Sequence, residues 1–197
     1  MKSVKEIHDY WENPNDGSNK PRFYFKGEEK SGLILKTING LRLMQPRIME
    51  LGCNVGRNLA TLNKWHYTNL YGIELNPDAV KMCYNQFPEL SGCITLGTLE
   101  DVLPVIKDNA YDVVFTMAVL EHIHPDSSEA IFDEMVRITK RYIITIEDEH
   151  HVTWRHFPRR YDEVFIPRGM RQIKQQPCGD VKRLNDNFVL RVFKKVQ

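Results

Sequence analysis

No stretch of this 197-residue chain stays apolar for the roughly 20 residues that a membrane-spanning helix needs. Its opening, MKSVKEIHDYWENPNDG, lacks the apolar run of a secretory leader, so a cytoplasmic protein is expected. Cysteine is sparse. Cys53, Cys83, Cys93 and Cys178 form no C-x-x-C pair, which argues against a zinc ribbon or a disulfide framework and for reduced thiols. Charge of either sign is almost balanced, 27 basic against 26 acidic residues, so no broad electrostatic grip on nucleic acid or an anionic membrane is expected. No repeat or low-complexity tract is present. Asp148, Glu149, His150 and His151 stand together, but their spacing fits no standard ligand set, and no metal is expected.

What is present is an alternation of short apolar runs with amphipathic ones. GEEKSGLILKTINGL carries Leu33, Ile34, Ile38 and Leu41 on one helical face. RIMEL, NLYGIEL, GCITLGT, YDVVFTMAV and RYIITIED read as buried strands. GRNLATLNKW, NPDAVKMCYNQF (Asn76 as N-cap, Pro77 in the first turn) and PDSSEAIFDEMVRIT read as the helices between them. Such β-α-β-α order means a doubly wound α/β domain, with a mostly parallel sheet and helices on both faces. Beyond His150 the pattern changes to a short helix opened by Pro158, then MRQIKQQ and NFVLRVFKK as two antiparallel strands. One domain, 1–197, is expected, with 1–30 as a lid on the substrate side, 31–150 as the ligand-binding core, and 151–197 as a helix and β-hairpin.

The turn between the first core strand and helix, ELGCNVGRN, holds Gly52 and Gly56 but places Asn54 where a dinucleotide loop keeps its middle glycine. A diphosphate is poorly served there, whereas a smaller ligand needing exposed amides and close backbone approach is not. Asn54 tolerates positive φ better than most residues, so the turn survives it. Glu74 closes the next strand about 20 residues on, where a carboxylate can accept from both hydroxyls of a ribose. TLED, with Leu99 and Glu100, follows the third strand, and VLEHI follows the fourth.

In this order the motifs resemble the class I, Rossmann-like S-adenosylmethionine-dependent methyltransferases, of the small-molecule type, over about half the chain, from Arg47 to Ile146. The resemblance implies a seven-stranded sheet with an antiparallel C-terminal strand and S-adenosyl-L-methionine as cofactor. It places Glu50, Gly52, Cys53, Asn54 and Gly56 around the methionine part, Glu74 at the ribose, Leu75 and Leu99 against the adenine, Glu100 near its amino group, and Met117 near the sulfonium.

Methyl transfer needs alignment and exclusion of water above all, with a base for an alcohol acceptor. His122, His151 and His156 are the candidate bases, on the ligand side of the sheet. Tyr10, Trp11, Tyr24 and Phe25 are candidate walls of the lid, and Arg22 a partner for the cofactor carboxylate. The expected activity is methylation of an oxygen or nitrogen of a small molecule, such as a sugar or another biosynthetic intermediate. An RNA or protein acceptor is the alternative, as is a non-catalytic regulatory protein that binds the cofactor. The place where many nitrogen-directed relatives carry N/D-P-P-Y/F reads MAVL here. Stable nucleic-acid binding is not expected, and a homodimer is left open.

Overall fold

The computed structural model describes residues 2–14 and 17–196. Its centre is a seven-stranded sheet in the order β3-β2-β1-β4-β5-β7-β6. The strands are β1 (Ile48–Leu51), β2 (Leu70–Glu74), β3 (Ile94–Leu96), β4 (Tyr111–Met117), β5 (Thr139–Asp148), β6 (Met170–Pro177) and β7 (Phe188–Lys195). The first five run parallel, while β7 lies antiparallel between β5 and β6.

The helices are α1 (Val4–Glu12), α2 (Glu28–Gly40), α3 (Arg57–Lys64), α4 (Pro77–Gln86), α5 (Leu99–Val102), α6 (Pro125–Ile138) and α7 (Tyr161–Phe165). A capping box of Ser3 and Glu6 starts α1. The Asn76 side chain accepts the Ala79 N–H at 3.0 Å, and Pro77 takes the first position of α4, as its sequence predicts. Strand periodicity sorts the core into two layers. Val113, Phe115 and Met117 pack with Ile34, Leu59 and Cys83 from α2, α3 and α4. Val114 on the other face packs with Phe132, Met135, Tyr161 and Phe165 from α6 and α7.

One boundary differs from expectation. Pro158 does not open α7; Arg160 is its N-cap residue. Arg159 instead donates to the carbonyls of Phe157 at 2.7 Å and Ile123 at 3.1 Å, which holds this stretch against the end of β4's loop. Among the described residues no helix is long and apolar enough to cross a membrane. The order of the sheet reverses between β1 and β4, whose carboxyl ends diverge into loops on opposite faces. That is where an open α/β sheet forms its ligand crevice.

Candidate active site

Three residues of the turn after β1 have left-handed backbone, Gly52 (φ 66°), Asn54 (φ 48°) and Gly56 (φ 69°). At Gly52 a Cβ would stand 2.7 Å from Val119, and at Gly56 it would collide with the Cys83 thiol, so both positions need the missing side chain. Asn54 adopts its strained φ with local help, since its Oδ1 accepts the Val55 N–H at 3.0 Å. The Glu74 carboxylate fastens this turn to the next. One oxygen accepts the Asn54 N–H at 2.7 Å, the other the Asn76 N–H at 2.9 Å. Burial pushes its pKa up, opposed by those backbone donors.

Beyond these turns lies a cavity of about 340 Å³ at the carboxyl ends of β1, β2 and β4. Glu50, Gly52, Cys53, Asn54, Glu74, Leu75, Leu99, Glu100 and Met117 all line it, as do His122 and His156. Gly56 stands behind the lining as the residue before α3. The helix α1 lines the cavity through Val4, Ile7, His8 and Trp11. His8 Nε2 is 3.2 Å from a Glu100 oxygen, the Trp11 carbonyl accepts from Asn76 at 3.1 Å, and the Trp11 ring lies 4.5 Å from that of His122.

Two expected residues are not brought there. Arg22 is exposed, with its guanidinium 4.9 Å above its neighbour Phe23. His151 is exposed and outside the lining, because Asp148 Oδ1 accepts the N–H groups of His150 and His151 and turns the chain outward. Of the other lid residues Trp11 and Tyr24 reach the cavity, whereas Phe25 packs on Phe87. The cations at the cavity are Arg57, Lys30 and Arg155. Arg57 is held by the Tyr24 and Lys26 carbonyls, each at 3.0 Å, and by Ser31 Oγ at 3.0 Å. Burial brings Lys30 down to about 8, with Arg57 and Arg183 adding repulsion. Asn58 donates to Glu50 Oε1 at 2.6 Å, while Glu50 Oε2 is buried without a partner. Burial pushes Glu50 up to about 8.

Sequence reasoning had not joined Glu121 to His122 and His156. Glu121, His122 and His156 each turn one ligand-type atom to a common point, all within 4.8 Å of one another. His122 Nδ1 lies 2.9 Å from the Arg155 carbonyl, which only accepts, so Nδ1 carries the proton and Nε2 presents a lone pair. That Nε2 is 3.5 Å from Glu121 Oε1, and His156 Nε2 is 4.0 Å from the same oxygen. The His156 Nδ1 lies 2.6 Å from Thr153 Oγ1. Burial lowers His122 to about 3 and His156 to about 4, and raises Glu121 to about 7. Both imidazoles are therefore neutral near pH 7. In the run Asp148–His151, Glu149 pairs with Arg191, and Asp148 accepts from backbone.

The crevice-forming part of the chain, residues 49–142, matches a family model described as a methyltransferase domain, and that family uses S-adenosylmethionine. Sheet order and match together resemble those of the class I, S-adenosylmethionine-dependent methyltransferases. The fold is similar to magnesium protoporphyrin IX methyltransferase from Synechocystis PCC 6803 with bound SAM, at TM-score 0.71 and 14% identity over 100% of this chain and 98% of that one. It is likewise similar to Burkholderia thailandensis 1,6-didemethyltoxoflavin-N1-methyltransferase, solved with 1,6-didemethyltoxoflavin and S-adenosylhomocysteine (TM-score 0.70, 11% identity, 100% and 92% covered). A SAM-dependent methyltransferase from Archaeoglobus fulgidus gives TM-score 0.68 and 15% identity over 85% and 94% of the two chains. At such identities the likeness is one of fold.

Proposed function

We propose that this protein transfers a methyl group from S-adenosylmethionine to an oxygen or nitrogen of a small molecule. The observation that carries the reading is one cavity lined both by the Asn54–Glu74–Leu99 set and by the Glu121–His122–His156 set, with Met117 also on its lining. The residues present fit the cofactor. Glu74 is anchored where a ribose would be met, and Leu75 and Leu99 offer apolar sides for an adenine, with Glu100 next to it. Glu50 Oε2 and Trp11 Nε1, a buried acceptor and a buried donor without partners, mark polar places for a ligand to fill. Arg57 and Lys30 take the role expected of Arg22, as cations for a carboxylate.

When bound, the cofactor supplies an electrophilic methyl on a sulfonium. The chain's part is to position and to dry the site. Trp11, His8, Met117 and Val119, all on the lining, exclude water. Burial leaves His122 near 3 and His156 near 4, too weakly basic to take an acceptor's proton readily, so these neutral rings serve to orient the acceptor.

Calorimetry tests the donor. S-adenosylhomocysteine should bind and NAD should not; binding of NAD alone overturns the reading. Glu74→Ala should weaken S-adenosylhomocysteine at least tenfold, or about 1.4 kcal/mol, through loss of both the ribose contact and the Asn54 anchor. Incubation with labelled cofactor and pools of small metabolites or bulk RNA tests the acceptor, and label entering RNA only would refute the small-molecule part.

A further inference from the structure

We propose that Glu121, His122 and His156 bind one divalent transition-metal ion, whose remaining coordination positions take oxygens of the methyl acceptor. The acceptor half of this proposal rests on the methyl-transfer reading of the cavity; the ion-binding half does not.

Three independent features support it. The donor set is two imidazole nitrogens and one carboxylate oxygen, a combination that suits zinc, iron, cobalt or manganese and disfavours calcium and magnesium. The distances of 3.5 and 4.0 Å from Glu121 Oε1 to the two Nε2 atoms approach the roughly 3.0–3.5 Å between neighbouring ligands that bonds of about 2.1 Å impose. Small rotations of the two rings close the gap. Each ring is also already turned by a group behind it: the Arg155 carbonyl fixes His122 through Nδ1, and Thr153 Oγ1 fixes His156 through Nδ1. Metal-binding histidines are oriented in this way, with the second ring nitrogen tied to a carbonyl or other polar group. The other oxygen of Glu121 is held by the Asp148 N–H at 2.5 Å, so the carboxylate is pinned as well. His156 Nε2 now meets Arg155 Nη1 at 3.4 Å, at the edge of hydrogen-bond range. That contact is the one the ion would replace, and Arg155 keeps its stacking over Tyr10 and Trp11.

Three protein ligands leave positions open toward the cavity that all three line. The acceptor class that follows is an oxygen-bearing molecule able to chelate, with hydroxyl, carbonyl or carboxylate oxygens on neighbouring carbons.

The test uses the full chain stripped with a chelator and titrated with Co²⁺, followed by visible absorption. One equivalent should bind, Zn²⁺ should displace it, and Mg²⁺ should bind at least 100-fold more weakly. Glu121→Gln, His122→Gln and His156→Gln should each weaken Co²⁺ at least tenfold, whereas His66→Asn, exposed and away from the cavity, should leave it unchanged. Should the variants fail to fold, the unaltered chain gives the answer by ¹⁵N NMR, since Zn²⁺ should shift the imidazole resonances of two histidines. No stoichiometric Co²⁺ binding, tighter Mg²⁺ binding, loss of the ion with His66→Asn, or ion-bound ring nitrogens on any number of histidines other than two overturns the site. Glycolate, as a bidentate oxygen ligand, should move the Co²⁺ bands, and unmoved bands overturn the open positions. Calorimetry with S-adenosylhomocysteine on the same metal-free protein separates the two readings. If it binds and Co²⁺ does not, the ion site is refuted and the transferase stands. If Co²⁺ binds and it does not, the acceptor half falls with the transferase reading.

Discussion

Single residues carry much of the site's chemistry, and burial is the reason. Glu50 is 2% exposed and has a pKa raised from 4.5 to about 8. A carboxyl raised on folding contributes stability fully present below its unfolded pKa and lost as pH rises through the folded one. Urea unfolding should therefore show Glu50→Gln gaining on the natural protein between pH 5 and pH 9, by about 2 kcal/mol or more at 1.36 kcal/mol per unit. His122 behaves in the opposite sense. Its folded pKa of about 3 lies below the ordinary 6.5, so its contribution is present above pH 6.5 and is lost as pH falls toward 3. Asn54 and Glu74 were legible because spacing alone fixes them, two residues past Gly52 and at the end of β2. Arg57 and Lys30 were not. Arg57 directly follows Gly56 and reads as an ordinary first-turn helix residue, and only the folding of α2 beside α3 turns both cations inward. Glu121 also escaped notice, although it is the neighbour of His122, because His156 is 35 residues from it and joins it through the loop after β5.

Among the elements, the parallel strands β1, β2, β4 and β5 were readable from their apolar runs, since most of their residues are buried, whereas β3 at the sheet edge leaves Thr95 and Leu96 exposed. The turn after β1 depends on glycine in a way that can be measured. Gly56→Ala adds a left-handed alanine and a collision with Cys83, and should cost about 1–3 kcal/mol in urea unfolding. The boundary of α7 was misread because Pro158 looks like a first-turn residue, while the guanidinium of Arg159 holds that stretch extended by binding carbonyls that no local pattern predicts. The N-terminal helix was expected to act as a lid, and its contacts with Glu100, Asn76 and His122 place it over the cavity. Trp11→Ala should weaken S-adenosylhomocysteine by about 1–2 kcal/mol in calorimetry, through lost packing on the bound ligand, with little change in global unfolding, because Trp11 lies outside both core clusters.

At the scale of the molecule, the hairpin of β6 and β7 is joined to the parallel core by a buried ion pair as well as by strand pairing. Arg191 on β7 donates from Nε to Glu149 Oε1 at 2.7 Å and from Nη2 to Glu149 Oε2 at 2.9 Å, with both side chains at most 3% exposed. Arg191→Met leaves a buried carboxylate alone and should cost about 3–5 kcal/mol, much of it recovered in the double variant with Glu149→Gln. Chemical denaturation of the three proteins checks this.

The position of β7 has a consequence for synthesis. It pairs with β5 from Tyr142 to Asp148 on one side and with β6 on the other. Until residues 188–195 have left the ribosome, β5 and β6 both present open edges to other nascent chains. The sheet is thus finished from its middle by its last strand, and a chain cut after Asn187 should aggregate even though every residue of the crevice has already been made.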